Sequence, residues 1–159
     1  MSVASDAPRR HDKVNKNQAL CDLASCEPGP LDSRRYEEKS RAERVFVDIW
    51  ELEADVNNGG FDQYLFNSGG DHVATVPASL RAIGAHRMAD IVERVIATAF
   101  PSREPIRNWV ARQEHVLTLP TDLFERLDHE FYAYPDDLTE LLHTFVMSNR
   151  ASIHGAERI

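Results

Sequence analysis

The sequence predicts an all-α fold in one compact domain. Apolar residues return at spacings of three and four in several separate windows, the signature of helices that each bury one face. No window alternates apolar and polar residues as a half-buried strand would. Glycine pairs and prolines fall between the periodic windows, where helices stop. The pattern corresponds to about six or seven short helices, and 159 residues suffice for one core but hardly for two.

Residues 1–33 mix charges with Ala, Ser, Asn and Pro and show no sustained apolar period. They are expected to form a flexible segment ending at the turn Pro28-Gly29-Pro30, which leaves residues 34–159 as the helical domain. Helical signal begins near Arg35 and strengthens from Arg41. Val45, Ile49, Leu52 and Val56 line one face, widened by Phe46 and Trp50. Asp48, Glu51 and Asp55 fall on the other side and are expected to form a solvated back. The helix should stop at Gly59-Gly60, with Asn58 in the cap.

The stretch NNGGFDQYLFNSGG, from Asn57 to Gly70, holds four of the seven glycines. Its two glycine pairs bracket a short segment in which Phe61, Tyr64 and Leu65 share one helical face. It reads as helix, stop, one or two turns, stop, because glycine enters left-handed backbone without steric penalty. Beyond it, Thr75 is the expected cap and Pro77 lies in the first turn of a helix carrying Leu80 and Ile83. Gly84 separates that helix from the strongest amphipathic run, Met88, Ile91, Val92, Val95 and Ile96, closed by Pro101. Trp109, Val110 and Val116 mark another helix. Thr121 or Asp122 is expected to cap the next, with Leu123, Phe124, Leu127 and Phe131 inward, and Asp136 to cap the last, which buries Leu138, Leu141, Leu142, Phe145 and Val146.

The formal net charge is −8, and most of it lies in one place. Residues 114–140 hold eight acids against the single base Arg126. Such a field repels nucleic acid and attracts basic surfaces, less so as salt rises. No apolar run approaches the roughly 20 residues that cross a bilayer. A cytoplasmic protein without direct nucleic-acid or membrane binding is expected. Cys21 and Cys26 have no partner cluster and read as free thiols.

Catalytic and metal chemistry find little support. Asp71-His72 and Asp128-His129-Glu130 are the nearest metal candidates, but adjacent residues on a helix point apart. Ser68 lies outside any G-x-S-x-G elbow, and the glycines do not form a phosphate loop. No cofactor, metal or catalytic residue is therefore assigned. Two surfaces remain. At the glycine-paired turn, Asn57, Asn58, Asp62, Gln63 and Asn67 stand beside Phe61, Tyr64 and Phe66. The reading preferred on physical grounds has these polar groups satisfying helix ends around Gly59 and Gly60. The alternative is a small-molecule-binding protein or small enzyme whose pocket uses Asn57, Gln63, Tyr64 and Asn67, or else an immunity-type interaction module.

The second surface is acidic. On a helical wheel Asp122 and Glu125 point away from the apolar stripe, while Asp128 and Glu130 flank it; Asp136, Asp137 and Glu140 follow. Carboxylates three or four residues apart rise by about 5 to 6 Å, comparable to the spacing along a DNA backbone, about 3.4 Å per nucleotide in each strand.

ELEADVNNGGFDQYLFNSGG, then SLRAIGAHRMADI and AFP, and later LDHEFY from Leu127 to Tyr132, carry a resemblance. Over roughly residues 41–149 the chain resembles bacterial DNA-mimic proteins otherwise catalogued as a domain of unknown function. The NGGF-x-QY core, Asn58 to Tyr64, is the most specific part. The resemblance implies an all-α domain without enzymatic activity, whose acidic side chains stand in for DNA phosphates on the DNA-binding face of a transcription factor. The expected partner is accordingly a basic protein surface, that of a DNA-binding transcription regulator, with self-association into a homodimer left open.

Overall fold

A computed structural model describes residues 10–102 and 104–159. Among them the structure is entirely helical, with seven α-helices: α1 (Arg10–Ala24), α2 (Arg41–Phe66), α3 (Val76–Ile83), α4 (His86–Ala99), α5 (Trp109–Val116), α6 (Glu125–Tyr132) and α7 (Leu138–Ser148). Short 3-10 turns, including one at Ser68–His72, fill several connections. The all-α expectation holds.

Helix α2 is the axis. It packs against α3, α5, α6 and α7, and its Phe46, Ile49, Leu52, Val56, Phe61, Tyr64 and Leu65 are all fully buried. Its start is fixed by a reciprocal cap: Ser40 Oγ accepts the Glu43 N–H at 3.1 Å, and Glu43 Oε2 accepts the Ser40 N–H at 2.8 Å. The Ser-x-x-Glu spacing was a readable start signal. Glu43 is fully buried, and burial alone would push its carboxyl up. Arg34, the Ser40 N–H and His154 outweigh that and hold it at about 2.

The break at the first glycine pair is as expected. Gly59 (φ −161°, ψ 24°) and Gly60 (φ 74°, ψ −173°) leave helical geometry, and the chain resumes as a short helical segment from Phe61 to Phe66. Gly69 and Gly70 behave differently. Neither takes a positive φ; both sit in the 3-10 turn, where a Cβ would be tight at Gly69 and at Gly70 would lie only 2.8 Å from the Leu65 carbonyl oxygen.

Several expectations are corrected. The exclusion of residues 1–33 from the fold fails over 10–33: α1 packs on α7, and Leu20 and Leu23 are buried in the common core. Its weak periodicity follows from burying only a narrow stripe. Residues 1–9 lie outside the described residues. Asp48 is not on a solvated back but buried, accepting from Tyr36 Oη at 2.9 Å, Thr75 Oγ1 at 2.9 Å and Ser79 Oγ at 2.6 Å. Thr75 is the residue before α3 yet makes no side-chain cap, its hydroxyl being taken by Asp48 and the His72 carbonyl. Thr121 and Asp122 do not cap α6, which starts after Phe124 without a side-chain cap. Asp137, not Asp136, caps α7, through Glu140 N–H at 3.2 Å. Asp136 instead accepts the Met88 N–H at 2.9 Å and so caps α4 from a distant segment.

Gly60 combines a left-handed φ with a neighbour, Asp128 Oδ2, at 2.7 Å from where a Cβ would sit. Gly60→Ala is expected to lose about 1–3 kcal/mol in urea denaturation, from strain and displacement of that carboxylate.

Candidate acidic interface and the glycine-paired turn

The helix restart after Gly60 leaves unpaired N–H groups, and Asp128 of α6 satisfies one, accepting from Phe61 N–H at 2.8 Å. The Phe61 ring then meets Phe131 edge-on at 5.6 Å and Phe124 at 6.5 Å. The signature turn and the start of the acidic stretch thus form one unit. Asp128 is half-buried; burial pushes its carboxyl up, the Phe61 N–H opposes this, and Glu125 adds to the rise. Asp62 is pushed up too, by burial first and then by Asp128. Asp128 therefore repels Asp62 across the kink and is itself raised by Glu125 on its own helix.

The seven acids assigned from sequence do not form one free face. Asp122 and Glu125 are exposed and, among the described residues, have no ion-pair partner; nor has Asp128. Glu130 is held by Arg94, which keeps it below its usual range, and by Arg126 at 3.2 Å. Asp136 is committed to α4. Asp137 binds Lys13 at 2.6 Å and Glu140 binds Lys16 at 2.7 Å, both lysines coming from α1. Burial works against ionisation of Asp137, but Lys13 and the Glu140 N–H outweigh it and lower its pKa. These cations lie 36 to 124 residues away except for Arg126, so no local pattern announced the pairing.

The residues of the alternative pocket are likewise separated. Asn57 Nδ2 donates to Tyr134 Oη at 2.6 Å, and Tyr134 in turn donates to Glu53 Oε1 at 2.8 Å. Asn58 and Gly59 are exposed at the kink. Gln63 lines a shallow cleft with Gly59, Phe66 and Leu117. Asn67 faces the other way, donating to Asp55 Oδ1 at 2.8 Å, and Tyr64 is fully buried. Asn57 and Asn67 thus bond to side chains on either side of the corner, and neither side chain satisfies a helix end as expected. Asp71 and His72 diverge: Asp71 pairs with Arg112, while His72 stacks on Tyr36 at 3.7 Å. Among the described residues no group of three or more His, Cys, Asp or Glu is placed to hold a metal.

What sequence reasoning missed is Arg112. Its guanidinium is fully buried, donating to Leu65 O at 2.8 Å, Asn67 O at 3.1 Å, Ile106 O at 3.3 Å and Asp71 Oδ1 at 2.5 Å. An arginine beside other arginines gives no signal of burial.

A family model described as DMP19-like protein matches residues 37–149. The chain belongs to the DMP19-like family. The name stands for DNA mimic protein 19, and the match covers the core from the end of the first connection to the end of α7, including the glycine-paired turn, Arg112 and α6. Within this family member, the turn is a structural hub and Asp128 of α6 lies against it. Neither the curated proteins nor the solved structures gave a match. No described helix is long and apolar enough to cross a membrane.

Beside the turn, half-buried Glu51 has no hydrogen-bond partner among the described residues; burial, then Asp48, Asp55 and Asp71, push its carboxyl up to about 7. The folded state therefore holds this proton where the unfolded chain releases it, so Glu51 costs stability increasingly as pH rises from about 4.5 to 7. Glu51→Gln should match the parent near pH 4.5 and exceed it by about 1–3 kcal/mol at pH 8 in urea denaturation.

Proposed function

We propose that this protein is a non-enzymatic binding protein that presents Asp122, Glu125, Asp128 and Asp62 to a basic protein surface. The reading extends to a DNA mimic: the partner surface is the DNA-binding face of a transcription regulator. One observation carries the proposal. These four carboxylates belong to the kink of α2 and the start of α6, with Asp128 pushing the pKa of Asp62 up and Glu125 pushing that of Asp128 up, and no described cation bridges any of them. A partner's Arg and Lys side chains would relieve that repulsion and release counterions, as DNA phosphates do. Membership of the DMP19-like family supports the same direction, and members of such families are generally not enzymes.

The remaining acids take a smaller part in this reading. Glu130, Asp137 and Glu140 already carry internal cations, and Asp136 serves as a helix cap. The contact surface is accordingly small and centred on α6, and its affinity depends on steering more than on area.

The test uses the protein as bait on a lysate of its own host, washed at low and at high salt. A basic protein should be retained at low salt, released by raising salt, and released by duplex DNA. The triple variant Asp62→Asn, Asp122→Asn, Glu125→Gln should fold normally yet lose most of the retention, at least about tenfold in affinity. Retention that ignores both salt and the triple substitution would falsify the proposal.

A further inference from the structure

A separate groove of about 470 Å³ opens between α2 and α5, lined by Trp50, Glu51, Asp55, Asn67, Gly69 and Trp109. We propose that it is a binding site for an organic cation, a guanidinium or alkylammonium head group. Glu51 and Asp55 would accept its N–H donors while the two indoles cover its flanks. Both tryptophans of the chain are here. Trp50 is fixed by stacking on Phe46 at 5.5 Å, whereas Trp109 stands 52 % exposed at the start of α5 with no other described ring on it. Indole faces beside carboxylates are the surroundings that organic cations favour.

The polar side of the groove is rich in acceptors. Asp55 Oδ1 takes the Asn67 amide, which orients it and leaves Oδ2 facing Gly69. Glu51 bonds to nothing among the described residues. Behind the lining, Tyr64 Oη is fully buried and is the one buried side-chain polar atom without a partner among the described residues. Its ring passes under Gly69, with Cε2 only 3.0 Å from where a Gly69 Cβ would be, and its hydroxyl feels the charges of Asp48, Glu51 and Asp55. The unbonded Glu51 carboxyl and Asp55 Oδ2 are acceptors in want of donors, so the groove selects a donor-rich ligand. A guanidinium offers five N–H donors and an ammonium three.

Internal cations do not supply it. Lys39, which weakly offsets Glu51, is bound to Asp32 at 3.0 Å, and Arg112, which faces Tyr64, is bound to Asp71 at 2.5 Å. A metal ion is disfavoured by the lack of a third ligating side chain. Gly69 keeps the cradle open: with no positive φ to require glycine, its place is explained by space, because a Cβ would press on Tyr64 and on Asp55 Oδ2 at 3.2 Å. The cost in stability that Glu51 imposes at neutral pH also fits a residue retained for a ligand. This site does not rest on the α6 surface, so either can fail alone.

Tryptophan fluorescence of the full chain reads the site directly. The probes are N-acetyl-arginine amide, methylguanidinium, and N-acetyl-citrulline amide as a neutral near-isostere of the first. A saturable change is expected with both cations and not with citrulline. It should strengthen as pH rises through about 7, where Glu51 ionises against Asp48, Asp55 and Asp71, and weaken at least about tenfold in Glu51→Gln, whose fold is not at risk. Tighter binding of the arginine amide than of methylguanidinium identifies a protein side chain as occupant, and equal binding identifies a free small cation; both support the site. Equal response to citrulline, no saturable response, or unchanged binding in Glu51→Gln overturns it.

Discussion

The Arg112 guanidinium is the contact on which the rest of the structure turns. It reaches from α5 into the corner where the chain leaves α2 and joins the carbonyls of Leu65, Asn67 and Ile106 with the carboxylate of Asp71. Those carbonyls include the end of the 61–66 segment, where helix geometry leaves acceptors unpaired. Removing the guanidinium would leave these carbonyls unmet, at about 1–3 kcal/mol for each buried one. Gly70 belongs to the same arrangement, since a Cβ there would stand 2.9 Å from Arg112 Nε. Helix α5, whose Trp109 and Val110 are largely exposed, is held otherwise by Val116 in the core, by Gln113 on the Phe66 carbonyl and by His115 against Phe100 and the Ala99 carbonyl.

The two glycine pairs look alike in sequence and do different physical work. Gly60 supplies a left-handed residue, which lets α2 restart at a new angle and brings the Phe61 N–H to Asp128. Gly69 and Gly70 supply absence of bulk, so that Tyr64, Asp55 and Arg112 can close on the backbone. One signature therefore has a conformational half and a steric half, and it ties α5 and α6 to the same helix. Its polar residues are dispersed rather than gathered in a single pocket, with Asn57 on Tyr134, Asn67 on Asp55 and Gln63 at another cleft.

Electrostatics follows the same division between local and distant. The acidic excess near α6 is real as composition, yet Lys13, Lys16 and Arg94 neutralise its later part from other helices. What stays uncompensated is the beginning of the stretch, with Asp62 added from across the kink. Around Glu51 a second group of acids collects from α2 and the following turn, in a setting dry enough to hold Glu51 near neutrality in its titration. Charge counts along the chain located the first group and missed the second, because Asp48, Glu51 and Asp55 read as an ordinary solvated helix face.

By itself the sequence determined the helical class, the order of the helices from residue 35 onward, their inward faces and the break at Gly59-Gly60. These follow from periodicity and from glycine and proline stereochemistry, which act over a few residues. Tertiary structure decided which acids are free, which residue caps which helix, and that Arg112 and Asp48 lie inside. Asp136 shows why: it precedes α7 and caps α4. Helix α1 shows it again, since its low apolar periodicity concealed two core leucines and two lysines aimed at α7. Partners for a charge or an orphan N–H are found by proximity in space, and a chain read residue by residue carries no record of that until packing of its apolar faces has brought the segments together.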